Sequence, residues 1–111
     1  MVKKTAQMNR LLDMYGSLLT KKQHIYMSEY YYDDFALHEI AENNQVSRQA
    51  VYDQIRRTER VLLDYEDRLK MGEQFKERVQ LIKQMKEHVQ THYAEDTLLL
   101  TLINQLDDLN E

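Results

Sequence analysis

With 111 residues, no cysteine, no proline and two glycines, the chain suits one domain with a modest core or two small helical lobes, and is too poor in turn residues for a β-sandwich or a doubly wound sheet. The missing cysteines exclude a disulfide framework and a thiolate zinc site. The formal net charge of −4 is uneven: residues 1–60 hold nine Lys/Arg against eight Asp/Glu, residues 61–111 six against eleven, so any nucleic-acid contact belongs to the first half and the acidic second half suits a protein partner.

The abundant Leu, Lys, Glu, Gln, Met and Arg favour helix, and the expected class is all-α. A first helix is expected from about Thr5 to Leu19, where Met8, Leu11, Leu12, Tyr15, Leu18 and Leu19 form one apolar stripe. Gly16 inside it weakens the helix or lets another element come close. Thr20 then reads as an N-cap, with Gln23 at the capping-box spacing. The second helix offers Tyr26, Met27, Tyr30 and Tyr31 for burial. Three consecutive tyrosines, Tyr30 to Tyr32, cannot share a face, so one or two belong to the core and one to the surface. Asp33 and Asp34 end this helix.

The stretch from Phe35 to Arg60, FALHEIAENNQVSRQAVYDQIRRTER, reads as two helices joined by a tight turn. The first puts Leu37, Ile40 and Ala41 on one face, and Ala41 must be small because the second helix crosses above it. Ser47 caps that second helix, which buries Val51 and Ile55. No breaker follows until Gly72. Val51, Ile55, Thr58, Leu62, Tyr65 and Leu69 make a 3.5-residue repeat, as in a helix lying along another helix, so the helix should run to about Met71. The stripe exceeds what a compact lobe needs. Its exposed continuation predicts a two-fold homodimer anchored by Leu62, Tyr65 and Leu69.

The phase changes at Met71–Gly72, where a break is expected. Phe75, Val79, Ile82, Met85 and Val89 form a new stripe, and a turn follows near Tyr93 to Asp96. A last helix then carries Leu99, Leu102, Leu106 and Leu109. These two helices should pair antiparallel. The expected organisation is therefore a helix-turn-helix lobe over residues 1–60, then residues 61–111 as the long-helix continuation and a C-terminal helical hairpin for dimerisation or interaction.

If Val51, Ile55 and Leu62 face inward, the opposite face of the long helix carries Gln49, Tyr52, Asp53, Arg56 and Arg60, with Arg48 beside it. Gln and Arg make paired hydrogen bonds to base edges in a major groove. The candidate nucleic-acid-binding residues are Ser47, Arg48, Gln49, Tyr52 and Arg56, with Arg57 and Arg60 holding phosphates. Asp53 repels phosphate unless it pairs with Arg56 or Arg57. A solvated charged face on a helix that packs only against protein is the plain alternative. His88 and His92, four apart, have no evident third ligand, so neither a metal nor another cofactor is expected. With no glycine-rich phosphate loop and no nucleophile elbow, the chain does not read as an enzyme. The C-terminal leucine stripe has an acidic polar face that anionic lipid would repel, which favours a protein interface or internal packing over a membrane. The N-terminal MVKKTAQMNR lacks the apolar core of a signal peptide, and no run is long enough to span a bilayer, so the expected location is the cytoplasm.

The run LLTKKQHIYMSEYYYDDFALHEIAENNQVSRQAVYDQIRRTERVLLDYEDRL resembles the YlxM family of small bacterial proteins. The specific parts are Val46-Ser47-Arg48-Gln49-Ala50-Val51-Tyr52-Asp53, Leu19-Thr20-Lys21-Lys22-Gln23, and Met8-Asn9-Arg10 with Tyr15; the similarity covers about residues 5 to 85. Part of it is similar to the region-four domain of sigma factors. The resemblance implies a cytoplasmic helix-turn-helix protein that regulates the signal-recognition-particle pathway, because genes of this family commonly lie beside that of the particle's GTPase. Three positions depart from the family pattern. Ala36 replaces a capping Ser, at a cost of about 1 kcal/mol unless Asp34 caps instead. Asn44 replaces an apolar residue. Gln45 stands where Gly or Asn is common, and costs about 1 kcal/mol if left-handed. The expected function is a nucleic-acid-binding regulatory protein acting on DNA or RNA. The alternative is a protein-interaction adaptor that docks on signal-recognition-particle components, the GTPase among them, through its acidic second half.

Overall fold

A computed structural model of the chain describes residues 5–110. They form six α-helices: α1 (Ala6–Tyr15), α2 (Lys21–Tyr31), α3 (Leu37–Asn44), α4 (Arg48–Leu69), α5 (Met71–His92) and α6 (Thr97–Leu109). The class is all-α, with no strand among the described residues. Two compact units divide between Lys70 and Met71.

In the first unit α1, α2 and α3 all pack on α4. Thr5 opens α1 by accepting the Met8 N–H at 3.0 Å. The helix stops at Tyr15, short of the expected Leu19, because Gly16–Leu18 tighten into a 3-10 turn that leaves Leu18 exposed. Both arms of the Thr20–Gln23 capping box are present, at 3.0 and 3.2 Å. Of the three tyrosines, Tyr30 is buried, Tyr31 half-buried and Tyr32 exposed.

The turn between α3 and α4 is closed by backbone. Val46 N–H donates to Ala41 C=O at 3.1 Å and Gln45 N–H to Glu42 C=O at 3.3 Å. These two bonds make a Schellman ending, which needs a left-handed residue, and Gln45 supplies it with φ 56° and ψ 44°. Ser47 then caps α4 by accepting the Ala50 N–H at 3.0 Å. Val51, Ile55, Thr58 and Leu62 are fully buried. The Thr58 hydroxyl is satisfied by the Gln54 carbonyl at 2.8 Å.

The 3.5-residue repeat finds its neighbouring helix inside the chain. α1 packs along α4, the Tyr15 hydroxyl donates to Glu66 Oε1 at 3.1 Å, and the Tyr15 and Tyr65 rings lie 6.0 Å apart. Two of the expected dimer anchors are thereby accounted for within the unit. Leu62 is enclosed in its core, and half-buried Tyr65 leans on that core. Leu69 alone of the three is exposed. Lys70, left-handed at φ 55°, ends α4 one residue before the expected break. The division drawn at residue 60 falls inside α4, whereas the compact units divide ten residues later, where that helix ends.

The second unit is a helical hairpin. Asp96 caps α6 by accepting the Leu99 N–H at 3.0 Å. Lys86 pairs with Asp107, and Arg78 Nε donates to Asn110 Oδ1 at 2.6 Å, which fixes an antiparallel register. Ile82, Val89 and Ile103 are buried, with Leu99 and Leu100 packed beside them. Phe75, Val79 and Met85 of the expected α5 stripe are exposed. The register explains Phe75: Arg78 already meets the end of α6, and Phe75 lies almost a turn beyond it.

Candidate nucleic-acid interface

The two-helix unit is organised by its small core. Ile40, Val51 and Ile55 are fully buried, and Ala41 is nearly so, consistent with α4 passing close to it. Burying this side of α4 turns its opposite side outward. Arg48, Gln49, Asp53, Arg56, Arg57 and Arg60 are exposed, and Tyr52 is half-buried. The expected face therefore exists as one surface of one helix. Ser47 is at its start, with its oxygen engaged as the helix cap.

Within this surface, Arg48, Gln49 and Tyr52 line a shallow open cavity of about 470 Å³ together with Leu37 from the start of α3. Leu37 reads from the sequence only as a core residue. Nothing in its spacing shows that the edge of its side chain meets the first turn of α4, because that depends on how the two helices cross. An apolar edge beside two long polar side chains suits the mixed surface of a base edge or a sugar.

The charge here is modest. Residues 47–60 carry four arginines, Arg48, Arg56, Arg57 and Arg60, against Asp53 and Glu59. Asp53 accepts from Gln49 Nε2 at 2.9 Å, so the hydrogen bond it makes goes to a neutral amide. Arg57 donates to Gln54 Oε1 at 3.2 Å. Both Gln49 and Arg57 thus hold an intrahelical bond that a ligand on this face would have to replace.

Behind the arginines, Glu59 accepts from the Tyr31 hydroxyl at 2.6 Å. Burial raises the carboxyl above its ordinary value, while the Tyr31 bond and the positive charge of Arg56 pull it back down. Burial and this same carboxylate push the Tyr31 phenol up. The pair ties α2 to α4 and sets a carboxylate beside Arg56.

The helix-turn-helix family model described as "Putative helix-turn-helix protein, YlxM / p13 like" (UPF0122) matches residues 2–101. A UPF0122 protein of Geobacillus sp. (strain WCH70) is 50% identical over 109 residues, covering 98% of this chain and 99% of its own. One from Bacillus pumilus is 51% identical over 113 residues, covering 98% of each chain. One from Latilactobacillus sakei is 47% identical over 106 residues, covering 96% and 94%.

Proposed function

The chain belongs to the YlxM / p13 like (UPF0122) family, and on that premise we propose that it is a nucleic-acid-binding regulatory protein of the signal-recognition-particle pathway. The observation that carries the proposal is the outward side of α4, where Arg48, Gln49, Tyr52 and Arg56 stand on the helix that follows the turn. In a helix-turn-helix this is the segment that enters the major groove, N-terminal residues first. Arg48, Gln49 and Tyr52 meet base edges, and Arg56, Arg57 and Arg60 hold the flanking backbone. Link to the particle pathway rests on the family resemblance, and cytoplasmic location goes with it. The protein acts as a homodimer, which sets two such helices against successive half-sites.

Anisotropy titration with labelled duplex DNA and hairpin RNA tests the reading. The double variant Arg48→Gln/Arg56→Gln is expected to lose about a hundredfold in affinity, at roughly 1–3 kcal/mol per contact, with unchanged helicity. Removing the arginine charge is preferable to reversing it at position 56, since a second carboxylate there would crowd Glu59. Unchanged binding by this variant would show that another surface holds the ligand.

A second reading, the adaptor, is favoured by the small positive excess on α4 and by the acidic second unit. In it the protein docks on a basic partner, such as the particle's GTPase, without reading DNA. A pull-down before and after nuclease treatment separates the two: a partner kept after nuclease belongs to the adaptor.

A further inference from the structure

The C-terminal hairpin leaves its leucines uncovered. In the whole of residues 71–110 only Ile82, Val89 and Ile103 are buried hydrophobics. A unit this small normally needs a disulfide, a metal or association to hold its shape. The chain has no cysteine, and no metal-binding cluster occurs among the described residues.

Two contacts show which sides of the helices coincide. Lys86 and Asp107 close one flank of the hairpin, and Arg78 reaches Asn110 on the other. Leu81 and Met85 follow Arg78 by three and seven residues; Leu106 and Leu102 precede Asn110 by four and eight. At 3.6 residues per turn, both rows fall on the Arg78–Asn110 flank. Leu98 and Leu109 extend the α6 row. These six side chains are between 38% and 85% exposed.

We propose that this flank is the self-association surface of the protein, and that its occupant is the same flank of a second copy. The inference rests on the homodimer proposed above and gives it a location away from Leu62 and Tyr65. Area supports it. Six side chains this exposed amount to roughly 500 Å² of apolar surface, near the upper end of the ~300–600 Å² that a monomer's largest patch reaches. With a polar rim the patch approaches the ~800 Å² per partner of a standard stable interface. Charge supports it too. Residues 97–106, TLLLTLINQL, contain no ionisable side chain, so the α6 rows of two acidic chains can meet without facing carboxylates. Hairpin on hairpin makes a four-helix bundle, in which each leucine row gains the layer it lacks.

The test is light scattering on the full chain across micromolar concentrations, with hydrogen exchange read over the same series. Wild type is expected to have the mass of a dimer, and amide protection in α5 and α6 is expected to rise with concentration while residues 5–70 stay constant. Leu102→Glu/Leu106→Glu is expected to halve the mass, weakening association at least about a hundredfold, with wild-type far-UV circular dichroism over unit one's melting transition. A wild-type monomer would overturn both this surface and the homodimer. A dimer that survives the double variant but falls apart with Leu69→Glu, or whose protection rises in residues 5–70 instead, would overturn the surface alone. The exchange series needs no variant, so a double variant that fails to fold does not rescue the proposal.

Discussion

Single residues in the turn region carry identifiable costs. Gln45 holds a left-handed backbone that glycine adopts without penalty, and the two hydrogen bonds that require it come from backbone atoms alone. Gln45→Gly is therefore expected to raise stability by about 0.5–1 kcal/mol, the relief of strain being partly offset by a more flexible unfolded chain. Ala36 occupies the N-cap of α3, where Glu39 accepts its N–H at 2.9 Å but no side-chain oxygen answers. Ala36→Ser completes the box and should add about 1 kcal/mol. Urea titration of each variant checks both values, and no gain at Gln45 would mean that the turn relaxes in solution. Asn44 stands at a position where the family pattern has an apolar residue. It instead donates to the Ile40 carbonyl at 2.8 Å and to Glu29 at 3.1 Å, binding α3 to α2. No sequence spacing announces such a bond, since its partner sits fifteen residues away on another helix. The buried-side carboxyl of Glu59 gives a pH prediction. Its value in the folded chain lies above the 4.5 of the unfolded one, so the folded state binds the proton more tightly. That contribution is complete below pH 4.5 and is lost as the pH rises through the folded value. Glu59→Gln keeps the tyrosine's partner but does not ionise, so its stability relative to wild type should climb with pH above 4.5. Denaturation curves at pH 4 and pH 7 measure the difference; parallel behaviour of the two proteins would contradict the burial of this carboxyl.

At the level of elements, the sequence revealed each helix, and the short helix beneath the start of the long one, but not which helix lies along it. Cap residues Thr20, Ser47 and the antiparallel pairing of the last two helices were legible because they depend on local hydrogen bonds and periodicity. The α4 repeat was equally legible as a pattern, yet a pattern of period 3.5 says only that some helix lies alongside. Within the chain that helix is α1, whose Tyr15 reaches across to Tyr65 and Glu66, fifty or more residues away. The candidate site shows the same split. Its arginines and Gln49 could be read from the side opposite Val51 and Ile55, whereas the cavity edge from Leu37 and the Gln49–Asp53 bond depend on packing and rotamers. Leu62 separates the two accounts of the repeat. As a fully buried core residue, it should cost about 2–5 kcal/mol when changed to Ala, with a melting temperature shift independent of protein concentration. An interface residue would instead give a shift that grows as concentration rises, because wild type gains more from association than the variant does.

For the whole molecule, the distribution of charge makes the proposed nucleic-acid binding depend on the proposed assembly. Residues 1–70 hold eleven Lys/Arg and eleven Asp/Glu, and residues 71–111 four against eight. Neither half attracts a polyanion from a distance, so affinity must come from local contacts by Arg48, Arg56, Arg57 and Arg60, and a single copy supplies few of them. Two copies joined through the hairpins would double that number on one ligand, and the second lobe would bind at the effective concentration set by the first. The salt dependence reads out the contact number directly. With about three phosphates neutralised per lobe, log K against log salt should fall with a slope near −5 for the dimer on duplex DNA, at roughly −0.9 per phosphate. In Leu102→Glu/Leu106→Glu the slope should drop to about half, because each lobe then binds alone. This change alters both charge and apolar contact and leaves every residue of α4 in place, so a smaller slope follows from lost pairing of lobes or from added repulsion by the new carboxylates. Leu102→Gln/Leu106→Gln distinguishes these, since it breaks the leucine row without charge: a slope that halves in both variants means paired lobes, and one that halves only with glutamate means that the lobes bind independently.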